Sequence, residues 1–217
     1  MRIVKPVADE YYHIYNRGIH KQSIFHDDKD RARFLFLILY FQSPKTFINI
    51  GRQVMYFVKH RVFNISSNDV VEIQRHAFVE LIAFCLMPNH FHLAVKSVTD
   101  NGISQYMQRV LNSYTKYYNE RYGTSGHLFQ GPYRAVHIEN NTQLLHLSAY
   151  IHKNPIEIKE WSKKWQEYEW SSYNDFIGTN RWLLLKQNII LEQFTTKESY
   201  KNFVIKSPAK ALSEVHL

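Results

Sequence analysis

His90 and His92 stand two residues apart in the run Met87-Pro88-Asn89-His90-Phe91-His92-Leu93-Ala94-Val95, and neutral imidazole is the commonest metal ligand among side chains. An apolar run from Phe84 to Met87 leads into Pro88-Asn89, a turn signal, and a second apolar run follows to Val95. That pattern predicts a β-hairpin buried in the core. Residues i and i+2 of a strand share a face, so both imidazoles emerge together while Phe91 and Leu93 point the other way. Two imidazoles on one rigid strand offer a bidentate anchor for a single divalent ion. The pair also fits two half-buried histidines bonded to neighbouring backbone, and the pair alone does not separate these readings.

A second group of chemically able residues lies further along. Tyr150 and Asn154 are four apart in a segment predicted to be helical from about Asn141 to Asn154, so they share a helix face, with His146 one turn before them. Asn154 can complete a metal's coordination while Tyr150 places its phenol beside the ion. A free phenol has a pKa near 10 and is a poor nucleophile. Covalent attack by tyrosine therefore needs an electrophile activated by other groups. A divalent ion does this for a phosphodiester by polarising a non-bridging oxygen and aligning the scissile bond. Tyr150 is equally readable, from the residues alone, as a buried phenol.

The elements that must position these groups follow from pattern. Tyr11 to Asn16 reads as a strand ending at Arg17-Gly18, and Asp27-Asp28 opens a helix that stops at Ser43-Pro44, with acids in its first turn where the macrodipole favours them. Residues 44–76 are punctuated by Pro44, Gly51 and Asn64 to Asn68 and read as a helix-rich insertion. Phe78 to Met87 and Phe91 to Val95 form the hairpin. Gly102 to Tyr122 carries Ile103, Met107, Val110, Leu111, Tyr114 and Tyr118 as one apolar stripe, a helix. Pro132 to Ile138 reads as a strand, and Asn140 or Asn141 caps the tyrosine helix that Pro155 ends. Without the insertion the order is βαββαβ. The predicted fold is therefore α+β and ferredoxin-like: an antiparallel sheet with helices on one face and the tyrosine helix after the last strand. Residues 1–156 are expected to form one domain and 157–217 a C-terminal extension, tryptophan-rich and then polar.

Composition sets outer limits. The 217 residues are 45% hydrophobic and 15% aromatic with net charge +8, which describes a folded protein suited to a polyanionic partner such as nucleic acid. No run of about 18 apolar residues suggests a membrane span. Lys5-Pro6 breaks the charged N-terminus before any apolar signal core. The single Cys85 allows no internal disulfide. A cytoplasmic location without membrane attachment is the expectation, with Cys85 an inert core thiol.

Met87-Pro88-Asn89 before His90-Phe91-His92 resembles the His-hydrophobic-His motif of single-tyrosine HUH nucleases. Ser125-Gly126-His127-Leu128-Phe129-Gln130-Gly131, Tyr150-Ile151-His152-Lys153-Asn154-Pro155 and Trp170-Ser171-Ser172-Tyr173 extend the likeness to the REP-associated tyrosine transposases, relatives of the smallest insertion-sequence transposases. It runs from about Tyr11 to Phe176, is strongest over 80–156, and is interrupted at 44–76. The resemblance implies a ferredoxin-like fold and a Mg²⁺- or Mn²⁺-dependent transposase and nuclease acting on single-stranded DNA with hairpins. In that scheme a tyrosine attacks the phosphate, giving a 5′-phosphotyrosine and a free 3′-hydroxyl. By position, His90 and His92 become metal ligands, Tyr150 the nucleophile and Asn154 the third ligand, where other members carry glutamine. A homodimer is also within what the family allows, since some relatives exchange the tyrosine helix between protomers.

Other residues carry weaker expectations. Asn16, Arg17, Arg109, Lys116, Arg121 and Arg134, with Lys21, are candidates for DNA contact, because backbone contacts supply most nonspecific affinity. Each is as readily a solvated surface group, or for Asn16 a turn. Tyr114, Tyr117 and Tyr118 are alternative nucleophiles, though Tyr114 and Tyr118 fit the apolar stripe. His13, His127, His137 and His146 could each approach a metal, but each reads more readily as a surface or satisfied core histidine. Two other functions compete: a relaxase- or replication-initiator-like nickase, and a non-cleaving hairpin-DNA-binding protein.

Overall fold

The computed structural model describes residues 6–208. A four-stranded antiparallel sheet has the order β2-β3-β1-β4, from β1 (Tyr11–Arg17), β2 (Val79–Met87), β3 (His90–Ser97) and β4 (Arg134–Ile138). With α1 (Asp28–Tyr40) and α4 (Gly102–Tyr122) as its crossovers, this is the expected ferredoxin-like arrangement. The insertion supplies α2 (Ile50–His60) and α3 (Ser67–Arg75), and α5 (Asn141–Lys153) follows β4.

The two faces of the sheet are covered by different helices. Phe91 of β3 packs on Phe34 of α1, which meets Tyr114 of α4 edge-on, so α1 and α4 share one face. Tyr150 of α5 lies against His92 and His13, whose side chains alternate to the opposite face. This double cover explains why β2, Val-Glu-Leu-Ile-Ala-Phe-Cys-Leu-Met, is apolar almost without alternation, unlike an antiparallel strand with one wet face.

The segment after residue 156 covers what would otherwise be an exposed β2 edge. The Leu86 amide donates to the Trp170 carbonyl (2.8 Å), that of Ser172 to Phe84 (3.0 Å) and that of Lys186 to Leu81 (2.8 Å), which satisfies the open row of backbone groups. Its tryptophans also meet the insertion: Phe57 of α2 contacts Trp170 and Trp182, and Phe63 contacts Trp182. Thus the insertion and the tryptophan-rich stretch pack on each other. The expected polar tail proves folded as far as Ser207, with α6 (Tyr173–Ile177), α7 (Asn188–Leu191) and α8 (Lys197–Lys206); its last residues, 209–217, lie outside the described residues. Tyr200 of α8 reaches His152 of α5 (2.8 Å), whose other ring nitrogen meets Ser172 Oγ (2.8 Å). That buried relay fixes the back of the tyrosine helix to the C-terminal segment. Cys85 is buried and free, as expected of a core thiol. Among the described residues no helix is long and apolar enough to cross a membrane.

Candidate active site

Local geometry brings the two halves of the site together within one chain. Tyr15, Asn16, Arg17, His90, His92, Gln130, Pro132, Arg134, Tyr150, Asn154 and Glu157 line a single cavity of ≈ 350 Å³. The Tyr150 ring stands 5.3 Å from that of His92, edge-on, and the His90 and His92 rings are 5.1 Å apart.

The β2–β3 turn is clamped from outside. The amides of Gly18 and Ile24 donate to the carbonyls of Asn89 (2.8 Å) and Pro88 (2.9 Å), while Asn89 Nδ2 donates to the Lys21 carbonyl (2.9 Å). Gly18 is required there, because a Cβ would collide with the Gln22 carbonyl oxygen. The clamp leaves Asn89 Oδ1 2.6 Å from His90 Nδ1. On the other wall, Asn16 Nδ2 donates to the Gly131 carbonyl (3.1 Å) and the Gln130 amide to that of Arg17 (2.8 Å). These bonds tie the Ser125–Gly131 segment against β1 and set Gln130 and Pro132 at the cavity rim.

Burial decides the charge state of the site. It pulls His90 down to about 4, aided by Arg17, and His92 well below the usual imidazole range, aided by His13 and His90. Both rings are neutral at pH 7 and have a lone pair to offer. Burial also raises Tyr150 to about 12, reinforced by the charge of Glu157, with Asn154 acting in the opposite direction. The phenol therefore keeps its proton until something in the pocket removes it.

The donor set fits a divalent cation. Neutral His90 has one N–H, and with Asn89 Oδ1 accepting it the Nε2 lone pair is left for the cavity. Asn154 donates from Nδ2 to the Tyr150 carbonyl (2.9 Å), which frees its carboxamide oxygen, and it lines the same cavity as His90. An imidazole lone pair and a carboxamide oxygen on one cavity wall suit a cation. Among the described residues no group of three or more His, Cys, Asp or Glu side chains is placed to hold a metal. The available protein set is therefore two imidazoles and a carboxamide, with remaining positions open to oxygen ligands such as water or phosphate, as suits Mg²⁺.

The other sequence candidates divide clearly. Arg17 and Arg134 line the cavity with Asn16, whereas Arg109 and Arg121 have other partners. Arg109 donates to the carbonyls of Pro44 (3.1 Å) and Lys45 (2.6 Å) and lies over Phe41. Arg121 pairs with Asp27 and with buried Asp30, both at 2.6 Å, at the N-terminus of α1. Lys116 lines a separate groove with His127, beyond the 127–132 loop. Tyr114 and Tyr117 sit on the far face of the sheet, donating to the Ile24 carbonyl and to Asp30. The other phenol at the cavity is instead Tyr15, which alternation along β1 places on this face. His137 pairs with Glu10 and His146 with Ser207. Glu157, the one carboxylate among the lining residues, was not singled out by sequence, though it follows Asn154 by one short helical turn, a spacing that could have flagged it; His13 was weighed as able to approach a metal but read rather as a surface or satisfied core histidine.

Residues 52–154 match the family model described as "Transposase IS200 like". Over those residues, a little under half of the chain, the sequence is similar to that family. The match begins inside α2 and ends at Asn154, so it takes in the histidine pair and the tyrosine helix but not β1. A solved structure of a REP-associated tyrosine transposase bound to a REP hairpin is similar in fold, with TM-score 0.50 at 14% identity, over 85% of this chain and 88% of that one. No curated protein matches the chain.

Proposed function

We propose that this protein is a transposase that cuts and rejoins single-stranded DNA beside a hairpin through a phosphotyrosine formed on Tyr150, in a site that takes Mg²⁺ or Mn²⁺. The observation that carries the reading is the convergence of Tyr150, Asn154, His90 and His92 of one chain on one cavity. In the cutting step the Tyr150 oxygen bonds to phosphorus while the bond to the 3′-oxygen breaks. The 5′-phosphate stays esterified to tyrosine and the departing strand leaves as a 3′-hydroxyl, having gained a proton. Attack by a 3′-hydroxyl on the phosphotyrosine reverses the step and rejoins the strand. One phosphodiester replaces another, so no external energy source is needed.

Tyr150 must lose its proton as it attacks, and Glu157 is the carboxylate in the same cavity available to receive it. A divalent ion held by His90, His92 and Asn154 would polarise a non-bridging phosphate oxygen. Arg17 and Arg134 give the cavity rim the positive charge that draws and orients a phosphate backbone. The hairpin is carried over from the solved relative, whose bound ligand is a REP hairpin; an unpaired strand beside it leaves the attacked phosphate free to reach a recessed site.

The test is incubation with end-labelled hairpin oligonucleotides bearing single-stranded flanks, with Mn²⁺ or with chelator. A denaturant-stable protein–DNA adduct on the 5′-phosphate side, absent with chelator, is the expected result. A mobility shift with no cleavage under any metal would identify a hairpin-binding protein and refute the nuclease reading.

A further inference from the structure

We propose that His13 is a positioning residue that fixes His92 in its metal-binding tautomer by accepting the His92 Nδ1 proton on its own Nε2; this rests on the metal reading above. The two nitrogens are 2.9 Å apart, and the rings stack at 5.1 Å with 21° between their planes. One proton lies between those nitrogens. If His13 carries it, His92 must be protonated on Nε2 and presents N–H to the cavity. If His92 carries it, Nε2 presents a lone pair. Only the second form binds a cation, and it requires His13 to be the Nδ1–H tautomer.

The surroundings make His13 the group that decides this. His92 is 4% exposed, so bulk water does not readily take the proton at Nδ1. The strand register provides the room: His13 sits opposite Ala94, one small residue, and leans from there toward His92. The same ring meets Tyr150 edge-on at 5.8 Å, so it touches both halves of the site. His90 has its counterpart in Asn89, whose Oδ1 lies against His90 Nδ1. Outer partners of this kind set tautomer and ring orientation at metal-binding histidines, and losing one typically costs about 10–100-fold in metal affinity.

The experiment uses the full chain, metal-free, with ¹⁵N-labelled histidine. Long-range ¹H–¹⁵N correlation reads the tautomer of His92, assigned by the signal missing in His92→Ala. Mn²⁺ affinity is measured in parallel by calorimetry. The expected wild-type form is Nδ1–H. In His13→Phe, which keeps a ring against Tyr150 but has no acceptor, His92 should shift to Nε2–H and Mn²⁺ affinity fall about 10–100-fold. His13→Gln places an oxygen near the original Nε2 and should hold affinity within a few-fold of wild type. Wild-type His92 protonated on Nε2 overturns the proposal, with no variant needed. So does His13→Phe binding Mn²⁺ as wild type does, or, should that variant not fold, a folded His13→Gln with Nε2–H at His92. A wild type that binds no Mn²⁺ but shows Nδ1–H at His92 instead overturns the metal reading on which the role depends.

Discussion

Replacing Tyr150 with phenylalanine removes one oxygen and little else. The ring contacts to His92 and His13, at 5.3 and 5.8 Å, are available to phenylalanine as well, so the walls of the cavity stay in place. The Asn154 side chain keeps its bond to the residue-150 carbonyl, which is backbone. What is lost is the phenol's interaction with Asn154, and cavity water can replace it. The stability cost is therefore at the low end for a hydrogen bond, ~0.5–1 kcal/mol, or about 1–4 °C in Tm for a chain of this size. DNA affinity should change by less than about twofold, well under the 1.4 kcal/mol that makes a tenfold change. Covalent adduct should vanish, because the bond to phosphorus needs that oxygen. The assay is a denaturing gel of labelled hairpin substrate with Mn²⁺, run beside a binding titration and a melting curve. Adduct persisting at wild-type yield refutes the assignment. Tyr15 would then be the phenol to change next, since Tyr114 and Tyr117 lie across the sheet.

Removing both of the proposed metal ligands, His90→Ala with His92→Ala, should abolish adduct and Mn²⁺ binding in calorimetry, with Asn154→Ala weakening binding less; unchanged affinity in the double variant would make the pair a core feature. Arg17→Ala with Arg134→Ala should flatten the dependence of DNA affinity on salt, because phosphate contacts release counterions. Arg121→Ala should leave that slope alone and cost about 1–3 kcal/mol of stability, since buried Asp30 loses its cation but keeps bonds from Tyr117 and Tyr122; equal slopes in the two variants would relocate the DNA path. His152, held neutral by burial with its pKa near 3, is depressed below an ordinary histidine near 6.5. Its contribution is fully present above about pH 6.5 and is lost as pH falls toward 3, at up to ~1.4 kcal/mol per pH unit. Denaturant melts between pH 7 and 5 should therefore show a shallower acid loss in His152→Gln than in wild type, and parallel curves would count against the relay to Tyr200 and Ser172.

The chain by itself determined what depends on short-range periodicity. Alternation along one strand puts His90 and His92 on a common face, and one helical turn puts Asn154 beside Tyr150, because both relations are fixed by backbone geometry within a few residues. The same periodicities mark α1, α4 and the hairpin, and their order leads to the ferredoxin-like sheet. Tertiary structure alone decided which face α5 covers, and with it that the tyrosine and histidines of one chain meet. It also decided the β1–β3 register that sets His13 against His92, since no local pattern encodes how two strands seventy-odd residues apart align. Arg109, Lys116 and Arg121 all lie on α4, and charge spacing reports only which side of a helix avoids the core. Long arginine side chains can turn back to carboxylates and carbonyls elsewhere, as Arg121 does to α1 and Arg109 to the Pro44 turn. The tryptophans after residue 156 had no legible role in sequence for a related reason. Their partners are an open strand edge and an inserted helix, surfaces that exist only once the rest of the chain has folded.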